Sequence, residues 1–137
     1  MTHEEKELLL KDLCARLPYG VKISIPDLWT DDRDIEILDE IFKGDDGLYR
    51  VNSKGQLIKY IKPYLFPMSS MTEEQKKEYN GRKHLIPVCH YEYGDVVEEY
   101  ELFDSPESFE YLIENHFDYR GLIEKGLAID ATGINIY

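Results

Sequence analysis

The residues that suggest acid–base chemistry in this sequence are His116 and Asp118, which flank Phe117. An imidazole needs a carboxylate to orient it before it can act as a general base in nucleophilic catalysis. No Ser or Cys in a G-x-S-x-G elbow supplies a nucleophile. Helical spacing places His116 beside Leu112 and Ile113 at a helix end, where the dipole favours a protonated imidazole. We therefore predict a structural His116, no catalytic residue and no enzymatic activity.

Metal-ligating residues occur in two places, and neither has suitable spacing. His84 and His90 are six residues apart, so one strand would put them on the same face but too far apart to share a metal. An EF-hand loop starting at Asp32 would need Gly at its sixth position and Glu at its twelfth, where Ile37 and Lys43 stand. We therefore predict no metal and no cofactor, and a solvated loop for the acidic cluster Asp27, Asp31, Asp32, Asp34 and Glu36.

Negative charge is concentrated in residues 92–118, which carry ten Asp and Glu and no Lys or Arg. Residues 1–91 nearly balance, with 16 acids and 14 bases, although the whole chain carries a net charge of −12. Such a surface repels nucleic-acid phosphates and anionic membranes, and it attracts basic proteins. We therefore predict that the protein binds neither duplex nucleic acid nor membranes and that it has a protein partner. The alternative to a role of the acids in partner recognition is that they serve solubility alone.

Strand and helix periodicity predicts how these acids are displayed. In the strand, Glu99 and Glu101 alternate with the inward positions Val96, Tyr100 and Leu102, and Glu98 is out of phase. In helix 105–116 the inward positions are Phe109, Leu112 and Ile113, while Glu107, Glu110 and Glu114 face solvent. The predicted partner-binding residues, on one continuous negative surface, are Glu98, Glu99, Glu101, Glu110 and Glu114.

A weaker basic stripe runs through the middle of the sequence. Its bases alternate with aromatic side chains on which single-stranded nucleic acid could stack. We favour a solvent-facing strand surface over such binding. The stripe consists of Arg50, Lys54, Lys59 and Lys62, with Tyr49, Tyr60 and Tyr64 between them.

Residues 1–67 are predicted to form a helix and a small antiparallel barrel. Thr2-x-x-Glu5 is a capping box for a helix ending near Arg16. Strands at 21–25, 35–42, 48–51 and 57–61 follow, with a bulge at Leu38 and a tight turn at 52–55. Short strands joined by turns favour an SH3-like barrel. Its core is predicted to contain Leu9, Leu13, Val21, Ile23, Ile35, Ile37, Val51, Leu57, Ile58 and Ile61.

Residues 68–137 are predicted to pack on this barrel in one compact α+β unit. Ser70-x-x-Glu73 predicts a helix to Tyr79, and Gly94-Asp95 predicts a two-residue hairpin loop. Ser105 caps the third helix, Asp118 caps a short helix over 119–125, and a strand follows from Ile129.

The composition is that of a globular, cytoplasmic protein. Apolar residues make up 42% of the chain, but no run of about 20 could span a bilayer and no signal peptide is recognisable. Cys14 and Cys89 have no C-x-x-C spacing, and we expect two reduced, buried thiols. The sequence leaves a disulfide between them open.

Three stretches resemble a group of small uncharacterised proteins from phages and mobile elements of gut bacteria. They begin Asp12-Leu13-Cys14-Ala15-Arg16-Leu17-Pro18, Lys62-Pro63-Tyr64-Leu65-Phe66-Pro67 and Glu114-Asn115-His116-Phe117-Asp118-Tyr119. Together they cover about a third of the chain. The resemblance implies a genomic setting and no activity.

These observations predict a non-enzymatic protein-interaction module. Two alternatives stay open: an anti-defence inhibitor whose acidic face imitates nucleic-acid charge, and a small enzyme that uses His116 or His90. The sequence does not indicate the partner or the oligomeric state.

Overall fold

The computed structural model describes residues 1–27, 29–30 and 32–137, and it has two compact units. The first contains residues 1–70 and 113–137, and the second contains residues 71–112. Both helices and sheets are present, which confirms the α+β class. No helix in the described part of the chain is long and apolar enough to cross a membrane.

The first unit begins with helix α1 (His3–Arg16), as its sequence predicts. The Thr2 hydroxyl accepts from the Glu5 amide at 3.1 Å, and the Glu5 carboxylate accepts from the Thr2 amide at 3.1 Å. This reciprocal capping box satisfies two backbone donors that the first turn would leave unpaired. Leu9 and Leu13 are fully buried on the inner side of the helix.

The strands of the first unit are β1 (Lys22–Pro26), β2 (Arg33–Ile37), β3 (Ile41–Lys43), β4 (Tyr49–Val51), β5 (Gln56–Leu57), β6 (Lys62–Pro67), β9 (Phe117–Asp118) and β10 (Ile129–Asp130). Antiparallel pairing joins β2 to β1 and β1 to β6, and β9 and β10 pair in parallel with successive parts of β6. Strands β3, β4 and β5 form a separate antiparallel sheet. No closed barrel is found in the described residues, so an SH3-like fold is not confirmed.

Two predicted core residues, Ile35 and Ile37, are exposed by 46% and 56%. Register explains the difference, because β2 pairs Ile35 with Ser24 and Ile37 with Lys22, out of phase with the buried Ile23 and Ile25. Leu57 is only half-buried. The other seven predicted core residues are buried, and the sequence missed Leu38, Leu65 and Leu122.

Three local predictions in the first unit are wrong. The strand over 57–61 stops at Leu57 and continues as a 3-10 turn, Ile58–Tyr60. The strand over 35–42 is divided into β2 and β3 by residues 38–40, where the amide of the buried Leu38 donates to the Val21 carbonyl. Residues 119–125 form turns rather than a helix, although the Asp118 carboxylate accepts from the amides of Leu122 and Ile123, both at 2.9 Å.

A buried ion cluster joins α1 to the segment that contains β9. Asp12 and Arg16 are both 0% exposed, and Arg16 Nε donates to Asp12 Oδ2 at 2.8 Å. Arg16 Nη2 donates to the Phe117 carbonyl at 2.6 Å, and Arg120 Nε lies 3.2 Å from Asp12 Oδ1. Burial raises the pKa of the Asp12 carboxyl above its ordinary value, although Arg16 and Arg120 act in the opposite direction. The sequence missed this cluster.

The second unit contains α2 (Glu73–Gly81), β7 (His84–Glu92), β8 (Asp95–Phe103) and the start of α3 (Pro106–Glu114). Thr72 and Gln75 form the capping box of α2, not the predicted Ser70 and Glu73. Ser105 caps α3 as predicted, since its hydroxyl accepts from the Ser108 amide at 3.0 Å. The small interior is built largely by Tyr79, Tyr111 and Leu112, and α3 ends at Glu114 rather than at 116.

We expect Asp12→Ala to cost about 3–5 kcal/mol of unfolding free energy, because it leaves Arg16 buried without its carboxylate. The matched control is Asp46→Ala, which breaks an Asp–Arg pair of the same i,i+4 spacing. In this pair the Asp46 side chain is 44% exposed and the Arg50 side chain is 27% exposed. That change should cost at most about 1 kcal/mol. Urea denaturation measures both. Equal, small losses would show that the buried cluster contributes nothing to the fold.

Candidate functional site

The least covered element of the chain is the hairpin of β7 and β8. Each strand has nine residues, so the hairpin is about 30 Å long. The two strands pair with each other along their whole length, and no other strand in the described residues pairs with either. Both outer edges therefore carry backbone N–H and C=O groups that a further strand could use.

The turn of this hairpin is shifted by one residue from the prediction. Glu92 pairs with Asp95, so the loop is Tyr93–Gly94 rather than Gly94–Asp95. Tyr93 has φ 51° and Gly94 has φ 85°. Two consecutive residues of positive φ are typical of the type I′ turn, whose twist matches that of paired strands. Glycine therefore stands at the second loop position.

One side of the hairpin, here called the apolar face, is exposed throughout. The exposed fractions are 61% for Leu85, 82% for Tyr91, 63% for Val96, 61% for Tyr100 and 48% for Leu102. Contiguous apolar surface of this kind marks binding sites more often than single exposed residues do. Cross-strand pairing defines the face as Leu85, Pro87, Cys89, Tyr91, Val96, Glu98, Tyr100 and Leu102.

The opposite side, here called the mixed face, combines acids with apolar residues. Glu99 pairs with Val88, and Glu101 pairs with Ile86. Val88 and Val97 are half-buried, whereas the two glutamates are exposed. The mixed face consists of His84, Ile86, Val88, His90, Glu92, Asp95, Val97, Glu99, Glu101 and Phe103.

The predicted partner-binding glutamates are divided between different surfaces. Glu99 and Glu101 share the mixed face, as predicted, while Glu98 is the single acid on the apolar face. On α3, Glu110 is exposed, but Glu114 is half-buried and belongs to the first unit. The shared face and the exposure of Glu99 and Glu101 on β8 could be predicted from the sequence.

The predicted burial of Val96, Tyr100 and Leu102 is wrong. Two-residue alternation shows that they share a face, but it does not show that another layer covers that face. On α3, Phe109 is 40% exposed, while Tyr111 and Leu112 are buried. The predicted hairpin could have indicated this exposure. Residues 71–112 contain no third strand, so no second sheet is formed there to cover the hairpin.

The remaining chemical candidates are not assembled into a site. No group of three His, Cys, Asp or Glu in the described residues could hold a metal ion, and Asp31 of the acidic cluster lies outside those residues. Cys14 and Cys89 are both free thiols and both exposed, so the expectation of buried cysteines is wrong. Free thiols were expected.

The basic stripe is interrupted by ion pairs and burial. Arg50 Nη2 lies 2.5 Å from Asp46 Oδ2, and Lys54 Nζ lies 3.4 Å from Glu36 Oε1. Tyr64 is buried, so its ring is not available to stack on a base. The stripe therefore does not form a row of free cations and aromatic faces.

His116 lies just past the end of α3, where its amide donates to the Ile113 carbonyl at 3.1 Å, and its side chain contacts Tyr137. Its backbone has φ 64°, and its ring stacks on the Tyr137 ring with centroids 3.9 Å apart and planes at 15°. Burial, followed by the nearby charges of Arg16 and Lys22, lowers the pKa of His116 to about 4. The imidazole is therefore neutral at pH 7, opposite to the expected protonated form.

Comparisons of this chain with protein-family models, with curated proteins and with solved structures find no match.

We expect His116→Asn to weaken the pH dependence of stability between pH 7 and pH 4.5. Because the folded pKa of about 4 lies below the ordinary 6.5, the unfolded chain binds the proton first as pH falls. The native protein should therefore lose about 1 kcal/mol more than the variant over this range, because solvent screening around a partly exposed ring reduces the full linkage energy. Asn tolerates the positive φ of this position.

Urea denaturation at both pH values measures this effect. His90→Asn is the control, because His90 is exposed on the hairpin. Equal slopes in the native protein and in His116→Asn would contradict a depressed pKa.

Proposed function

We propose that this protein is a non-enzymatic interaction module whose β7–β8 hairpin binds a protein partner with a basic surface. One observation carries the proposal: the hairpin has a continuous apolar face on which every residue is exposed. Tyr91, Tyr100 and Leu85 are exposed on it by more than half. Tyrosine suits such a surface, because its ring supplies contact area and its hydroxyl hydrogen-bonds at a wet rim.

The energetics of a two-stranded hairpin support this role. A hairpin without a covering layer is marginally stable in water, so a partner that covers one face stabilises it. Burying apolar surface is worth about 25 cal/mol per Å² before the costs of association. The unpaired edges of β7 and β8 offer a second mode, in which an extended segment of the partner adds a strand.

Charge favours a basic partner over other classes. The hairpin carries Glu92, Asp95, Glu98, Glu99 and Glu101, and it contains no Lys or Arg. A second copy would bring the same acids together, while duplex nucleic acid and anionic membranes would be repelled. A partner with Lys or Arg around an apolar patch would complement both the apolar face and the acids of the hairpin. Opposite charges increase the rate of encounter and disfavour wrong partners.

The anti-defence alternative uses the same acids differently. Asp95, Glu99 and Glu101 lie on one face of β8, and neighbours two positions apart on a strand are about 7 Å apart. A protein that binds nucleic acid could accept such a row in place of phosphates. We propose a phage or mobile-element origin and a cytoplasmic location for this module, and both are compatible with either role.

The experiment compares matched variants as bait in lysate of the cell in which the gene is found. Leu85→Ser with Tyr100→Ser removes apolar contacts from the apolar face. Ile35→Ser with Ile37→Ser is the control, because these residues are similarly exposed on β2. We expect the hairpin variant to lose a specific partner at least about tenfold and the control to retain it. Equal retention by both would contradict binding through the apolar face.

A second variant tests the contribution of the acids. Replacing Glu99 and Glu101 by Gln should leave stability equal or higher, because two exposed like charges on one face of β8 are removed. Partner binding should weaken and become less dependent on salt. If this variant abolishes binding while the Leu85 and Tyr100 variant retains it, the nucleic-acid mimic replaces the interaction module. If binding and its salt dependence are both unchanged, the acids serve solubility alone.

A further inference from the structure

A cleft of about 430 Å³ lies in the first unit, between the beginning of α1 and the β4–β5 hairpin with the turn that follows it. Its volume falls within the range of about 300–1,000 Å³ that is typical of small-molecule sites. The lining residues from α1 are His3, Lys6, Glu7 and Leu10, and those from the other side are Gly47, Leu48, Tyr49, Leu57, Ile58 and Lys59.

The floor of the cleft is apolar. Ile58 is buried in the core, and Leu10 and Leu57 are half-buried. Leu48 and Tyr49 are exposed by 48% and 40%, so they provide apolar surface that a ligand could cover. A ligand that fits this floor has a hydrocarbon chain or ring.

The rim of the cleft is positive, although the whole chain carries a net charge of −12. Lys6 and Lys59 are exposed, and neither forms an ion pair with any residue that the structure describes, although Lys59 Nζ lies 5.0 Å from the centroid of the Tyr60 ring. The single acid of the lining, Glu7, is 2.9 Å from His3 Nε2. Two cations beside an apolar floor favour a ligand whose apolar part ends in a negative group.

We propose that this cleft binds a small amphipathic carboxylate, with its hydrocarbon part on Leu48, Leu57 and Ile58 and its carboxylate between Lys6 and Lys59. A carboxylate matches a pair of ammonium groups, which donate hydrogen bonds to its two oxygens. The apolar face of the hairpin does not compete for such a ligand, because its surroundings are acidic. This site is independent of the proposed partner binding.

The test titrates the full chain with octanoate, 1-octanol and octyltrimethylammonium, which share one tail and differ in charge. Amide chemical shifts report where each probe binds. Octanoate should shift the amides around Leu10, Leu57 and Ile58, whereas 1-octanol should bind several-fold more weakly. Octyltrimethylammonium should leave these amides unchanged. Equal binding of octanoate and 1-octanol, or no octanoate shift at the cleft, would overturn the proposal.

Charge variants locate the carboxylate. Lys6→Gln and Lys59→Gln should each weaken octanoate about twofold to fivefold, the range expected for an exposed ion pair. Lys11→Gln is the matched control, because Lys11 is exposed on α1 but does not line the cleft. Leu48→Glu should abolish binding, since it places a charged group against the hydrocarbon part of the ligand. A Lys11→Gln effect as large as that of Lys6→Gln would show a general charge effect and would overturn the site.

Discussion

The first unit depends on the buried contact between Asp12, Arg16 and Arg120. Arg16 has one hydrogen bond to Asp12 on its own helix and one to the Phe117 carbonyl, 101 residues away in the sequence. A guanidinium can satisfy both because its donors form a rigid planar fork. Transferring these charges from water is costly, so the cluster stabilises the fold only when every member is present.

This contact fixes the C-terminal segment against the sheet. The Phe117 carbonyl that accepts from Arg16 belongs to β9, which pairs with β6. The side chain of Tyr137 continues the attachment, since its hydroxyl donates to the Tyr64 carbonyl at 2.8 Å and accepts from the Lys22 amide at 2.8 Å. Residues far apart in sequence therefore complete one sheet. His116 loses its solvation in this arrangement, which explains its neutral imidazole.

The hairpin differs from the first unit in what its apolar residues contact. Leu9, Leu13 and Ile23 are fully buried in the first unit, where a helix covers the sheet. Leu85 and Tyr100 have similar apolar surface but remain exposed, because β7 and β8 pair with each other alone within the described residues. The same strand alternation thus gives a core in one place and a binding surface in the other. Coverage, rather than residue type, distinguishes the two.

The sequence by itself determined the elements whose signals are local. The capping box at Thr2, the Ser105 cap and the alternation of Glu99 and Glu101 depend on neighbours within a few residues. Tertiary structure decided register and coverage: Ile35 pairs with Ser24, out of phase with the buried Ile23 and Ile25, and no sequence period specifies that pairing. Likewise, the i,i+4 spacing of Asp12 and Arg16 is the same as that of an ordinary ion pair on a helix surface. Only the packing of distant segments against α1 removes these two side chains from water.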